Sequence, residues 1–168
     1  MLIFFDSEFT GLGLSPKLIS IGFAAENGVC FYAELADAWR FEECSEFVRQ
    51  QVLPLLAGGS VHMTLNQLSL NLGHWLEQFE EPIQLVTDAV SWDWPWIEEI
   101  FYLPGTWPSN LDRQAVELPK NTTVETALEA SYTRGLRRHH ALDDAQANRL
   151  AWMAWKLNGR DHETSPLL

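Results

Sequence analysis

A run of four apolar residues, Leu2–Phe5, leads directly into two carboxylates in the segment Asp6-Ser7-Glu8. A strand that is apolar on both faces is typical of the buried centre of a sheet, so the run predicts a central strand. Asp6 and Glu8 are two positions apart and would lie on the same face of that strand. Two negative charges this close repel each other unless a cation lies between them, and carboxylate oxygens are preferred ligands of Mg²⁺ and Mn²⁺. The pair therefore predicts either a divalent-metal site or two solvated acids at a strand end.

The residues that follow this pair favour the metal site. The segment DSEFTGL, from Asp6 to Leu12, resembles the first motif of the DEDD family of 3′→5′ exonucleases, D-x-E-x-T-G-L, at every fixed position. The resemblance implies that the backbone around Phe9 and Thr10 contacts the terminal nucleotide. It also implies that Leu12 wedges between the last two bases. With the two motifs described next, the resemblance covers the chain from residue 4 to about residue 150.

A second acidic segment, HHALDDA, begins at His139 and opens an apolar helical stretch. In the family subgroup with a catalytic histidine, DEDDh, four residues separate the histidine from the last aspartate, as they separate His139 from Asp144. His140 has the three-residue spacing of the tyrosine subgroup and is the competing choice. The alternative to a catalytic motif is a basic segment before an ordinary helix, whose first-turn acids are favoured by the positive end of the helix.

One aspartate between these motifs completes the set that the resemblance implies. The stretch from Ile83 to Asp88 is predicted to be a buried strand, and the family places its second-motif aspartate a short turn after such a strand, before a bulky apolar pair. Asp93, followed by Trp96 and Ile97, fits this layout, with Asp88 as the alternative. Asp88 stands where the family usually has asparagine, which adds a negative charge near the predicted site.

The resemblance implies a metal-dependent 3′→5′ exonuclease that hydrolyses phosphodiester bonds at the 3′ end of single-stranded nucleic acid, with RNA favoured over DNA. Four acids would hold two divalent cations, Mg²⁺ or Mn²⁺, roughly 3.5–4 Å apart. These acids are Asp6, Glu8, Asp93 and Asp144. His139 would take the proton from the attacking water. The alternatives are a DNA exonuclease, a catalytically silent nucleic-acid-binding or proofreading module of the same fold, and a transition-metal site with other chemistry.

The net charge of −12 counts against a broad basic face that holds duplex nucleic acid. It is compatible with a nuclease that holds a few nucleotides of one strand. The densest basic group runs from Arg134 to His140, immediately before the last acidic motif, and predicts either phosphate contacts or a solvated loop.

No apolar run is long enough to span a membrane, and the N-terminal run has no basic stretch before it, unlike a signal peptide. The two cysteines, Cys30 and Cys44, form no metal motif. These features predict a cytoplasmic protein. Three tryptophans alternate between Trp92 and Trp96, and at least one should be exposed, where it would serve nucleotide stacking or a homodimer.

The order of the predicted elements indicates an α/β domain with a mixed central β-sheet flanked by α-helices, which resembles the RNase H-like fold of the exonuclease family. Strands are predicted at residues 2–6, 18–25, 29–35, 83–88 and 116–118. Helices are predicted at residues 41–56, from Thr64, from about Asp93, at 122–131 and at 142–157. The buried stripe of the last helix should comprise Ala147, Leu150, Ala151, Ala154 and Leu157. A single exonuclease domain would cover residues 1–168, with a frayed tail at 158–168.

Overall fold

The N-terminal apolar run forms the centre of a six-stranded sheet in the structure, a computed structural model that describes residues 1–102 and 105–163, with the backbone alone for 159–163. The strands are β1 (Leu2–Phe9), β2 (Leu18–Ala25), β3 (Cys30–Leu35), β4 (His62–Met63), β5 (Ile83–Thr87) and β6 (Leu111–Glu117). The helices of the described residues are α1 (Glu46–Gln51), α2 (Leu65–Glu77), α3 (Val90–Phe101), α4 (Thr122–Thr133) and α5 (Ala141–Glu163).

The strand order across the sheet is β4-β3-β2-β1-β5-β6. The first three strands are antiparallel neighbours, because short connections join them, whereas β5 and β6 run parallel to β1 after helical crossovers. The prediction of an α/β fold with a mixed sheet and flanking helices is confirmed. This arrangement is compatible with the RNase H-like fold that the motifs imply.

Helices cover both faces of the sheet, because β1 presents apolar side chains to both. Ile3 and Phe5 pack in one core with residues of α2 and α3. Phe4 lies on the opposite face and packs with Val124 of α4 and Ala151 of α5. Asp6 and Glu8 have the same strand parity as Phe4, so they lie on the α5 side.

Gly22 lets α5 approach the sheet closely at the point that matters for the acids. It pairs with Asp6 across β1 and β2. A Cβ atom at this position would stand 2.3 Å from the backbone nitrogen of Leu142, in the first turn of α5. Only glycine leaves room for a helix backbone at this distance.

Several predicted boundaries were wrong. β1 continues to Phe9, because its pairing with β2 persists to Leu18 across a bulge, and β6 spans Leu111–Glu117 at the sheet edge. The single helix predicted at 41–56 is α1 flanked by two 3₁₀ turns, Phe41–Glu43 and Leu53–Leu55. Ser45 starts α1 by accepting a hydrogen bond from the Val48 N–H, and Pro54 follows its end.

The last helix also differs from its prediction. It continues through residue 158 to Glu163, so a frayed tail is wrong for residues 158–163, and residues 164–168 lie outside the described residues. Ala147 and Ala151 are buried as predicted, but Leu150 and Leu157 are 41% and 58% exposed. Small side chains face the sheet because α5 lies close to it, and the leucines therefore point outward. Within the described part of the chain, no helix combines the length and apolar character of a membrane span.

Candidate active site

Five acids and a histidine from distant parts of the chain meet at one end of β1. Asp6 and Glu8 are on β1, Asp88 directly follows β5, Asp93 is in the first turn of α3 and Asp144 in the first turn of α5. One ligand atom each from Glu8, His139 and Asp144 lie within 4.8 Å of one another, and so do one each from Asp6, Asp88 and Asp93. The structure thus brings together all the predicted metal-binding acids, and it adds Asp88.

Asp93 is buried, and two hydroxyl groups fix its carboxylate. Ser7, which lies between the two acids of β1 in sequence, donates to Oδ1 of Asp93. Thr87, the last residue of β5, donates to Oδ2. The first turn of α3 adds the positive end of a helix, which favours a carboxylate there. Asp93 therefore has a fixed orientation towards the neighbouring acids.

Asp144 is held by two donors, one from the last turn of α4 and one from the connection between α4 and α5. The Tyr132 hydroxyl donates to Oδ1 at 2.5 Å, and the backbone N–H of His139 donates to Oδ2 at 2.8 Å. His139 has a left-handed backbone, with φ of +66°, which is uncommon for a residue with a side chain. This turn brings the histidine and the last aspartate of the motif to the same end of α5.

The two histidines of the motif have different surroundings. His139 is half-buried, its ring meets Phe47 edge-on with 4.9 Å between centroids, and it reaches Glu8 and Asp144. His140 is buried, and its ring stacks on Tyr32 at 4.7 Å. The described contacts therefore bring His139 to the acids, whereas His140 packs against β3.

The basic group before α5 makes internal ion pairs. Nε of Arg137 is 2.7 Å from Oδ2 of Asp143, and Nη2 of Arg138 is 2.7 Å from Oε1 of Glu129. Arg138 also lies over the Tyr132 ring, 4.2 Å from its centroid. These contacts hold the segment that carries His139. The positive charge of Arg138 also helps to lower the pKa of His139.

Burial is the main cause of the raised pKa values of the acids in the cluster. Burial and the charges of neighbouring carboxylates raise the pKa of Asp6 well above its usual range and that of Glu8 to about 8. Burial also raises the pKa of Asp93 and Asp144 to about 6, although their hydrogen-bond donors oppose the shift. Burial and Arg138 lower the pKa of His139. Carboxylates that resist ionising together fit a bound divalent cation, whose charge would offset their repulsion.

The described residues could therefore hold a metal ion. Their donor set consists of carboxylate oxygens with one imidazole nitrogen. Carboxylate oxygens suit hard cations such as Mg²⁺ and Mn²⁺, whereas sites rich in thiolate favour softer metals. Cys30 and Cys44 lie outside the acid groups, and burial raises the pKa of both thiols.

The residues predicted to contact substrate adjoin the acids along β1. Phe9 stacks on Trp92 with 6.0 Å between centroids and a 16° interplanar angle, and Trp92 is 47% exposed. Thr10 is buried and closes the following loop, because its hydroxyl accepts a hydrogen bond from the Lys17 N–H. Leu12, in that loop, is 74% exposed.

The three alternating tryptophans differ in their exposure. Trp96 is buried in the core, and Trp94 packs against Trp107 with 5.9 Å between centroids. Trp92 faces solvent beside Asp93, so the prediction that at least one of the three is exposed is confirmed.

Four residues that orient the acids were missed at the level of sequence: Ser7, Thr87, Tyr132 and Asn148. Ser7 and Thr87 adjoin acidic residues, so proximity to a motif was a usable signal for them. Tyr132 reaches Asp144 through the packing of α4 with α5, and Asn148 reaches Asp88 through the packing of α5 on the sheet. No local spacing encodes either contact.

A scan of the chain against protein-family models found no match, and neither did a search of curated proteins. Function is therefore inferred from the residues of the site and from the order of their motifs.

Proposed function

We propose that the protein is a metal-dependent 3′→5′ exonuclease of the DEDDh type that acts on single-stranded nucleic acid, with RNA favoured over DNA. One observation carries the proposal: the three sequence motifs, which are far apart in the chain, supply acids and a histidine to one cluster. Chance matches to short motifs would have no reason to converge on one end of a central strand. The small domain and the net charge of −12 favour a short single strand over a duplex.

Asp6, Glu8, Asp93 and Asp144 would hold two divalent cations, Mg²⁺ or Mn²⁺. When bound, these cations would supply positive charge that stabilises the transferring phosphoryl group and the departing 3′ oxygen. The protein contributes orientation: the hydroxyls on Asp93 and Asp144 fix two of the four carboxylates before any ligand arrives. Preorganised ligands need little rearrangement when the substrate binds.

His139 would accept a proton from the water that attacks the terminal phosphorus. The water oxygen bonds to phosphorus as the bond between phosphorus and the 3′ oxygen breaks, and the departing 3′ oxygen takes a proton from solvent. The products are a nucleoside 5′-monophosphate and a strand one nucleotide shorter with a 3′-hydroxyl. A neutral imidazole is needed for this role, and the lowered pKa of His139 favours the neutral form. The edge-on contact with Phe47 and the turn at φ +66° hold the ring near Glu8 and Asp144.

The terminal nucleotide would bind along the end of β1. The backbone at Phe9 and Thr10 would contact its sugar and phosphate, and the exposed side chain of Leu12 would enter the stack between the last two bases. The exposed face of Trp92 offers an aromatic surface to a base, since bases of any identity stack on tryptophan.

The test is degradation of 5′-labelled single-stranded RNA and DNA by the full chain with Mn²⁺, Mg²⁺ or EDTA. We expect a ladder that shortens from the 3′ end, faster on RNA, and none in EDTA. Asp6→Asn and His139→Ala should each reduce the rate at least about 100-fold. The controls Asp112→Asn and His74→Ala change exposed residues outside the cluster and should cleave like the wild type.

A folded wild-type chain that cleaves neither substrate in the presence of metal would contradict the proposal and favour a silent binding module. Faster cleavage of DNA would retain the exonuclease and reverse the substrate preference. If His140→Ala abolished cleavage and His139→Ala did not, the other histidine would be the base.

A further inference from the structure

Asp88 is an acid of the cluster that the four-acid motif pattern does not include. It directly follows β5, and one of its oxygens lies within 4.8 Å of an oxygen of Asp6 and one of Asp93. Carboxylates this close repel each other, so a nearby positive charge stabilises their ionised forms. In the described part of the chain Asp88 has no ion pair, and nearby Lys120 instead contacts Glu117 at 2.6 Å.

A buried amide holds Asp88 in this position. Nδ2 of Asn148 donates to Oδ1 of Asp88 at 3.1 Å, and Asn148 is only 2% exposed. Asn148 is one helical turn beyond Asp144, so the same face of α5 supplies a ligand to one acid group and an anchor to the other. Among the described residues, Oδ2 of Asp88 has no hydrogen-bond donor.

The two acid groups differ in the number of carboxylate oxygens that they can offer to a cation. The first offers the carboxylates of Glu8 and Asp144, with the imidazole of His139, the proposed base, beside them and not as a ligand. Without Asp88 the second would consist of Asp6 and Asp93, and both oxygens of Asp93 already accept hydroxyl hydrogen bonds. Mg²⁺ held by one or two carboxylates usually needs substrate phosphate to complete its site. A further carboxylate would supply negative charge before phosphate arrives.

We propose that Asp88 is a ligand of the cation held by Asp6 and Asp93, and that this cation therefore binds the free protein before the nucleic acid does. Asn148 is a positioning residue that fixes one oxygen of Asp88 and leaves the other for the cation. The inference rests on the proposed function, because it concerns the second of the two cations that the exonuclease needs.

The test is a titration of the metal-free full chain with Mn²⁺ in the absence of nucleic acid, with free Mn²⁺ measured by electron paramagnetic resonance. The wild type should bind two Mn²⁺ ions per chain. Asp88→Asn keeps the size of the side chain and an oxygen that can accept from Asn148. It should bind one ion with wild-type affinity and the second at least about 10-fold more weakly. The control Asp112→Asn should match the wild type.

Two binding results would overturn the inference: wild-type protein that binds only one ion without nucleic acid, or Asp88→Asn protein that binds two ions as tightly as the wild type. Either result, obtained with protein that degrades RNA, would leave the exonuclease intact. Absence of both Mn²⁺ binding and cleavage in the folded wild type would overturn the inference and the proposed function together. Thermal unfolding of each variant checks that it is folded.

Discussion

Hydroxyl groups orient the candidate ligands at the scale of single residues. Ser7 and Thr87 occupy both oxygens of Asp93, and Tyr132 occupies one oxygen of Asp144. A carboxylate that is already hydrogen-bonded has fewer orientations to lose when a cation binds. Such outer contacts commonly change metal affinity by about 10- to 100-fold when they are removed.

The Tyr132 hydroxyl can be tested without changing the acids. Tyr132→Phe should weaken Mn²⁺ binding about 10-fold, because Asp144 loses a donor that fixes it and lowers its pKa. Calorimetric titration with Mn²⁺ measures the change. The exposed Tyr102 provides the matched control, Tyr102→Phe. Equal Mn²⁺ affinity for Tyr132→Phe and the wild type would mean that Asp144 does not depend on this contact.

Trp92 can be tested as a stacking surface. Trp92→Ala should raise KM for single-stranded RNA at least about 5-fold with little change in kcat, since stacking on one base is worth about 1–3 kcal/mol. Steady-state kinetics on a short oligonucleotide measures both constants. Tyr102→Ala, just beyond the other end of α3, removes an even more exposed aromatic side chain and should leave KM unchanged. A Trp92→Ala enzyme with wild-type KM would exclude this surface from substrate binding.

At the scale of elements, the site depends on how closely α5 approaches the sheet. Gly22 pairs with Asp6, and the first turn of α5 lies directly over it. Gly22→Ala should destabilise the fold by about 3 kcal/mol, because its Cβ would overlap helix backbone that cannot rotate away. Urea unfolding measures this loss. The control Gly13→Ala adds a methyl group with no atom within 4 Å and should leave the unfolding midpoint nearly unchanged.

A stable Gly22→Ala protein would show that α5 can shift outward. In that case we expect weakened Mn²⁺ binding instead, because Asp144 would move away from Glu8 with its helix.

Sequence patterns predicted the elements whose signals are local. Strand parity placed Asp6 and Glu8 on one face, and Thr64 caps α2 in a capping box with Gln67 as its sequence position suggests. Sequence patterns failed where tertiary packing determines which side chains are buried. Leu150 has the spacing of a core residue, yet α5 lies so close to the sheet that alanines occupy its buried face. The contact between Asp88 and Asn148 joins two elements through the fold and has no local signature.

At the scale of the whole molecule, the cluster links stability to pH and metal. The pKa of Glu8 is raised to about 8 and those of Asp93 and Asp144 to about 6, so the folded state binds more protons than the unfolded state. The contribution of these groups to the free energy of unfolding of the metal-free protein should therefore be highest below pH 4 to 5. It should fall as the pH rises towards 8.

Divalent cations should offset part of this loss. At a concentration 100 times the dissociation constant, one bound ion adds about 2.7 kcal/mol, or roughly 5–10 °C in Tm for a chain of this size. Scanning calorimetry at pH 5 and pH 8, with EDTA or Mn²⁺, measures the difference, which should be larger at pH 8. A Tm that Mn²⁺ leaves unchanged at pH 8 would contradict metal binding by the cluster.

The packing of α5 over Gly22 also sets the order in which the cluster can assemble during folding. The carboxylates of β1 acquire Asp144 and the turn of His139 only when α5 docks on the sheet. Any partly folded state in which α5 is undocked therefore carries an incomplete set of ligands. The affinity of the chain for a divalent cation would then report on the docking of a single helix.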